Sequence, residues 1–190
     1  MRELGHILAA TDLSAPARHA VERAALVSRD TGGRLDLLHV ANLAPLERLR
    51  QLVGAGPVAV EEVLEAARQQ LHRLGTGIQH RFGVQANAHV VAGSLLQELV
   101  QKTAELDAGL LVCGAKGESI FRRFMLGTTA LRILSTTTCP VLVVKQAPHE
   151  PYRRLLVPVD FSPSSLRAIG HARSIAPLAD IVLLHVFDVP

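Results

Sequence analysis

Aromatic side chains are scarce in this 190-residue chain: they make up 3% of it, with no tryptophan and one tyrosine. Stacking platforms for single-stranded nucleic acid are therefore lacking. Charge of one sign is thin as well. A net charge of +3 is mild, the arginines are scattered, and no basic stripe tracks a phosphate backbone. Nucleic acid is excluded as a partner on both grounds. No apolar run approaches the ~20 residues of a membrane span, and the N-terminus MRELGHILAATD has no secretory core, so no membrane partner is expected. Two cysteines, Cys113 and Cys139, make no disulfide framework, which points to a reducing, cytoplasmic setting. The nine histidines show no H-x3-H spacing and the cysteines no C-x2-C, so no metal site is assigned. What remains is a globular composition, 48% hydrophobic and 19% charged. The length suits one well-buried α/β domain and is short for two.

The chain repeats itself in part. Residues 6–40 and 154–186 align end to end with one two-residue gap. Leu8 falls on Leu156, Asp12 on Asp160, Ser14 on Ser162, Ala20 on Ala168 and Ala24 on Ala172, and the closing Leu-Leu-His-Val of 37–40 falls on 183–186. Each copy reads as strand, helix, strand. Ile7–Ala10 is a short apolar run of the kind buried in a parallel sheet. Ser14 is placed as an N-cap before Pro16, alanines and valines follow at helical spacing, and Gly32-Gly33 stop the helix. Leu35–Val40 is the next strand.

The first copy then continues the alternation. Helices are expected over 58–74, 95–106 (capped by Ser94) and 128–135, and strands over 84–91, 109–113 and 141–144. Five strands with intervening helices predict a doubly wound α/β domain over 1–146. Residues 147–153 are a linker rich in proline and polar residues. The second copy, 154–190, supplies only strand, helix and strand, so a truncated second unit is expected to pack on the first domain or on a neighbouring chain.

Gly114-Ala115-Lys116-Gly117 follows the fourth strand directly, where doubly wound sheets bind ligands. Glycines there let the backbone approach phosphate oxygens. Ten positions on from Gly117, Gly127-Thr128-Thr129 opens a helix whose free N–H groups favour anions. The threonine hydroxyls suit phosphate or Mg2+, and Lys116, Arg122 and Arg123 between them can neutralise phosphate charge. The spacing matches neither the P-loop nor the dinucleotide fingerprint.

Gly114, Gly117, Gly127 and Thr128 match without gaps the G-x2-G-x9-G-[S/T] pattern of the ATP-binding branch of the universal stress protein family, which this chain resembles. Asp12 and Ser14, the Leu38–Val40 run and the late CPVLVVK (Cys139–Lys145) are similar to that family's pattern too. The resemblance implies a five-stranded parallel sheet of order 3-2-1-4-5, Rossmann-like, with ATP (or AMP or ADP, with Mg2+) across the split between strands one and four. It implies that Asp12, beside Ala10 and Thr11, faces the adenosine and that the Val40 backbone bonds adenine. Gly114, Lys116, Gly117, Arg123, Gly127, Thr128 and Thr129 would hold the phosphates. The fifth strand, Val141–Val144, would be the edge of a homodimer. Glu118 departs from this picture by placing an acid near the phosphates. The second copy ends before any glycine loop and cannot form a complete site.

Against these roles stand plainer ones. Asp12 can simply cap the following helix, since Asp160 recurs at the same place. Ser14 has no His or acid partner in the local sequence and reads as a cap rather than a nucleophile. His39 and His185 recur in matching strands and read as structural. Cys113 reads as a small buried apolar side chain. With no general base in evidence, no catalytic residue is assigned. The leading reading is a regulatory adenine-nucleotide-binding stress-response module with little or no hydrolysis. The alternatives are a slow ATP-hydrolysing enzyme, on fold analogy alone, and a nucleotide-independent dimeric scaffold.

Overall fold

The computed structural model describes residues 4–43, 58–115 and 128–187. Seven strands and five helices alternate within them: β1 (His6–Ala10), α1 (Ala15–Thr31), β2 (Arg34–Ala41), α2 (Val58–Phe82), β3 (Ala86–Ala92), α3 (Leu95–Glu105), β4 (Leu110–Gly114), α4 (Thr128–Thr136), β5 (Val141–Val144), β6 (Arg154–Pro158), α5 (Pro163–Ile175) and β7 (Asp180–Leu184). Strands β1 to β5 form one sheet of order β3-β2-β1-β4-β5, and every neighbouring pair is parallel. β6 and β7 form a separate parallel pair.

Alternation along the strands sends side chains to two cores. Ile7, Ala9, Leu35, Leu37, Leu110 and Val112 pack with α1 and with Leu71 and Ile78 of α2. Leu8, Leu38, Leu111 and Cys113 pack on the opposite face with Leu99 of α3 and Ile133 of α4. β1 and β4 are buried on both faces, which is why both read as unbroken apolar runs.

α1 is bounded as its sequence predicts. Ser14 Oγ accepts from the Ala17 N–H at 3.4 Å, and Gly32 closes the helix at φ 73°, its N–H donating to the Ser28 carbonyl. The next residue must also be glycine, since a Cβ on Gly33 would collide with the Leu4 carbonyl.

Two expectations need correction. α2 does not stop at Leu74 but runs eight residues further, through Gly75 and Gly77 to Phe82. Ile78 and Phe82 continue the apolar stripe onto the core, and that burial outweighs the poor helix propensity of two glycines. Ser94 stands at the N-cap of α3 in extended conformation, but its side chain makes no cap hydrogen bond.

The β6–α5–β7 unit rests on the first sheet's α1 side. Ile175 packs against that core. Arg23 of α1 donates from Nη1 to the Glu150 carbonyl at 2.8 Å, and its guanidinium lies 4.0 Å over the Tyr152 ring.

Candidate functional site

The order β3-β2-β1-β4-β5 reverses direction at β1, so a crevice opens at the carboxyl ends of β1 and β4. β1 pairs with β2 only as far as Ala10 with Leu38, while β2 continues to Ala41 alongside β3. A pocket of about 770 Å3 lies over these strand ends.

Its first wall is the β1–α1 turn. Thr11 is buried, donates its N–H to the Leu38 carbonyl at 2.9 Å, and accepts the Leu13 N–H on Oγ1 at 3.0 Å. Asp12 is exposed, and Oδ1 accepts the Ser14 N–H at 3.0 Å. His39 Nδ1 lies 2.9 Å from the Thr11 carbonyl, which can only accept, so that nitrogen carries the proton and the ring pins the turn to β2. The turn forces Leu13 to φ 66°, a conformation that costs a branched side chain roughly 1 kcal/mol and is held by these hydrogen bonds.

Leu38, Val40, Leu95, Leu99 and Ile133 make the apolar wall, and Asn42, Ser94 and Thr129 add polar groups. Asp12 is the one charged side chain among the described lining residues. Cys113 also borders the pocket, and burial pushes its thiol up to about 11, so it is a neutral, unreactive wall group at pH 7. An apolar slot with a few convergent oxygen and amide groups suits a planar, sparsely charged ring system with a hydroxylated appendage.

Of the residues singled out in the sequence, Ala10, Thr11, Asp12, Val40 and Thr129 line this one pocket. Gly114 ends β4 beside it, paired with Val144. Thr128 is the first residue of α4, whose N-terminal turn borders the pocket through Thr129. Lys116, Gly117, Arg123 and Gly127, with Arg122 and Glu118, lie outside the described residues. The β3–α3 turn was not anticipated. Ala92, Gly93 and Ser94 line the pocket, and a Cβ on Gly93 would come within 2.5 Å of Glu98 Oε1. A glycine at a strand end before a helix was the available signal, and Gly114 carries it too.

A second polar cluster was also missed. Asp36, at the amino-terminal end of the same sheet, is 1% exposed. His6 Nδ1 lies 3.0 Å and His89 Nε2 2.9 Å from its carboxylate, and Asn87 Nδ2 donates to it at 3.1 Å. Burial pushes this carboxyl up, but the hydrogen bonds from His89, His6 and Asn87 outweigh it and hold the group below its ordinary value. Three adjacent strands meet there, so the cluster locks their register. Among the described residues no group of three or more His, Cys, Asp or Glu side chains is placed to hold a metal, and no helix is long and apolar enough to cross a membrane.

A doubly wound, Rossmann-like parallel sheet with a pocket at its switch point defines the class. Within that class the chain belongs to the universal stress protein family, whose model matches residues 3–145. It is 30% identical over 141 residues to universal stress protein A homolog 1 of Coxiella burnetii, covering 73% of this chain and 94% of that protein. Solved structures share the fold, two of them with a nucleotide bound. One is a universal stress protein in complex with cAMP, with a TM-score of 0.55 at 19% identity, covering 76% of this chain and 98% of its own. The other is the Archaeoglobus fulgidus universal stress protein in complex with dAMP, with a TM-score of 0.51 at 21% identity, covering 76% of this chain and all 100% of its own.

Proposed function

We propose that the chain binds one adenine nucleotide in the pocket over β1, β2 and β4, and serves as a regulatory stress-response module in the cytoplasm rather than as a catalyst. The observation that carries this reading is the composition of the pocket. An apolar slot ends on one side at Asp12 and on the other at the N-terminus of α4. In this reading adenine lies against Val40 and Leu38, the ribose hydroxyls donate to Asp12, and the phosphates run toward Gly114 and Thr129. In the same reading Lys116, Gly117, Arg123 and Gly127, which lie outside the described residues, bind the phosphates. Related proteins in complex with cAMP and dAMP support an adenine nucleotide.

ATP with Mg2+ is the fuller form of the same proposal. Mg2+ prefers oxygen ligands and takes most of them from phosphates and water, so Thr129 is a suitable neighbour and a protein cage is not required. No side chain in the described lining is placed as a general base, which supports slow or absent hydrolysis. Among the described residues β5 is the last strand of the sheet, and an edge strand can pair with a second copy, which supports homodimerisation through Val141–Val144.

Calorimetric titration of the purified chain with AMP, ADP and ATP, with and without Mg2+, tests the reading. Binding at micromolar concentrations that weakens strongly in Gly117→Leu or Gly127→Leu is expected. Heatless titrations with all three nucleotides refute it.

A further inference from the structure

A second concavity, of about 590 Å3, lies on the α1 side of the sheet between α1 and α2. α2 lines it with residues at positions 70, 73, 74, 77, 78 and 81, the spacing of a single helical face. Its floor is apolar: Ile78 is 2% exposed, and the half-buried Leu13 and Leu74 pack against the same core. Its rim is cationic. Arg18 of α1 and Arg73 and Arg81 of α2 supply three guanidiniums against one carboxylate, Glu22, with which Arg81 is ion-paired. The groove therefore carries a net charge of +2. Among the described residues no carboxylate pairs with Arg18 or Arg73.

Scattered arginines on a surface ordinarily extend into solvent and bind nothing. Three on the rim of one apolar floor, all arginine and no lysine, are a different arrangement, because the planar fork of each guanidinium matches a phosphate or carboxylate edge. Gly77 adds an independent observation. It sits inside α2, where alanine is the better helix former, yet a Cβ there would meet nothing within 4 Å. The missing side chain relieves no clash, and the space beside it on the groove's lining is open.

We propose that this groove binds a small organic dianion, a phosphomonoester or a dicarboxylate whose apolar body rests on the Leu13–Leu74–Ile78 floor. The two negative charges match the groove's net charge. Leu13 lies between Asp12 and Ser14, so the ligand touches the outer side of the turn that walls the nucleotide pocket.

The test is calorimetric titration of the full chain with phenyl phosphate, with phthalate and with inorganic phosphate, each with and without excess AMP. One equivalent of phenyl phosphate or phthalate is expected to bind whether or not AMP is present, and the tighter of the two identifies the anionic group. Arg73→Gln, an exposed change that leaves the fold intact, weakens that binding by about tenfold, and Gly77→Phe fills the groove and abolishes it. AMP binding is unchanged in both variants. The proposal is overturned if neither organic anion binds, if inorganic phosphate binds as tightly as either, if AMP displaces them, or if Arg73→Gln leaves their affinity unaltered.

Discussion

Residues 6–40 and 154–186 share one local design, and the structure repeats most of its bonds; the Thr11 Oγ1 bond to the Leu13 N–H is lost where Val159 stands. Asp12 and Asp160 each accept the N–H two residues on, at 3.0 Å in both cases. Ser14 and Ser162 each cap the helix that follows. His39 and His185 each hold the carbonyl of the residue after the strand, Thr11 at 2.9 Å and Val159 at 2.8 Å. Leu13 and Phe161 are both forced to positive φ, 66° and 61°. The surroundings differ completely. Leu8 is fully buried while Leu156 is 62% exposed, and Leu38 is 1% exposed while Leu184 is 43%. Among the described residues the first copy has β3, β4, α2, α3 and α4 around it, whereas the second lies against the flank of α1. The turn is thus a property of one strand–helix–strand unit, whereas the pocket above it is a property of the whole sheet. Asp12 and Asp160 have the same local role, and Asp12 also lines the pocket at the switch point of the five-stranded sheet.

That contrast can be attacked at several points. The largest effects belong in the first copy's buried face. Leu8→Ala is expected to cost about 3 kcal/mol and Leu156→Ala less than about 1 kcal/mol, measured by urea denaturation of each variant. Asp36→Ala, which leaves His6, His89 and Asn87 without their acceptor, is expected to cost about 3 kcal/mol. Its counterpart Val182→Ala, at a position 44% exposed, costs far less. Equal losses in the two copies would show that the second copy is as firmly packed as the first.

Acid should separate the copies by the same logic. Asp36 has a native pKa below 3.8, so it binds fewer protons folded than unfolded near that pH. Its contribution is fully present above about pH 4 and is lost as the pH falls through the depressed native value. Denaturation from pH 6 to pH 2 should therefore show an acid limb that is shallower in Asp36→Asn than in the parent. Asp160 is held at about 2 by hydrogen bonds from Ser162 and Ser165, but it is fully exposed, and Asp160→Asn is expected to leave the limb nearly unchanged. The smallest difference concerns the caps. Ser14→Ala and Ser162→Ala each remove one cap bond and are expected to cost about 1 kcal/mol apiece within their own helices, read by hydrogen exchange of the first-turn amides.

The strands and the helix starts were legible because their signals are local: apolar runs for β1 and β4, serine before proline for α1 and α5. α2 was read short because propensity speaks at Gly75 and Gly77 while the reason to continue, the core beneath Ile78 and Phe82, is tertiary. Ser94 has the right residue type for a cap, but side-chain geometry decides whether the bond forms. Asp36 shows the limit most clearly. A lone Asp within LDLLHV gives no hint of His6 and His89, which reach it only through the register of three strands. For the pocket, Thr129 was readable from the glycine pattern at a helix start, whereas Thr11, Asp12 and Val40 came from the family resemblance. Gly93 and Ser94 carried only a glycine at a strand end as a signal, and their place beside β2 at the pocket follows from the strand order.

The central claim is that only the first copy of the turn serves a nucleotide. Calorimetric titration with AMP of the parent chain, Asp12→Ala and Asp160→Ala decides it. The account predicts one site per chain, an affinity lowered at least about tenfold by Asp12→Ala through the lost ribose hydrogen bonds, and no change in Asp160→Ala. Two sites per chain, or equal weakening by the two substitutions, would contradict it.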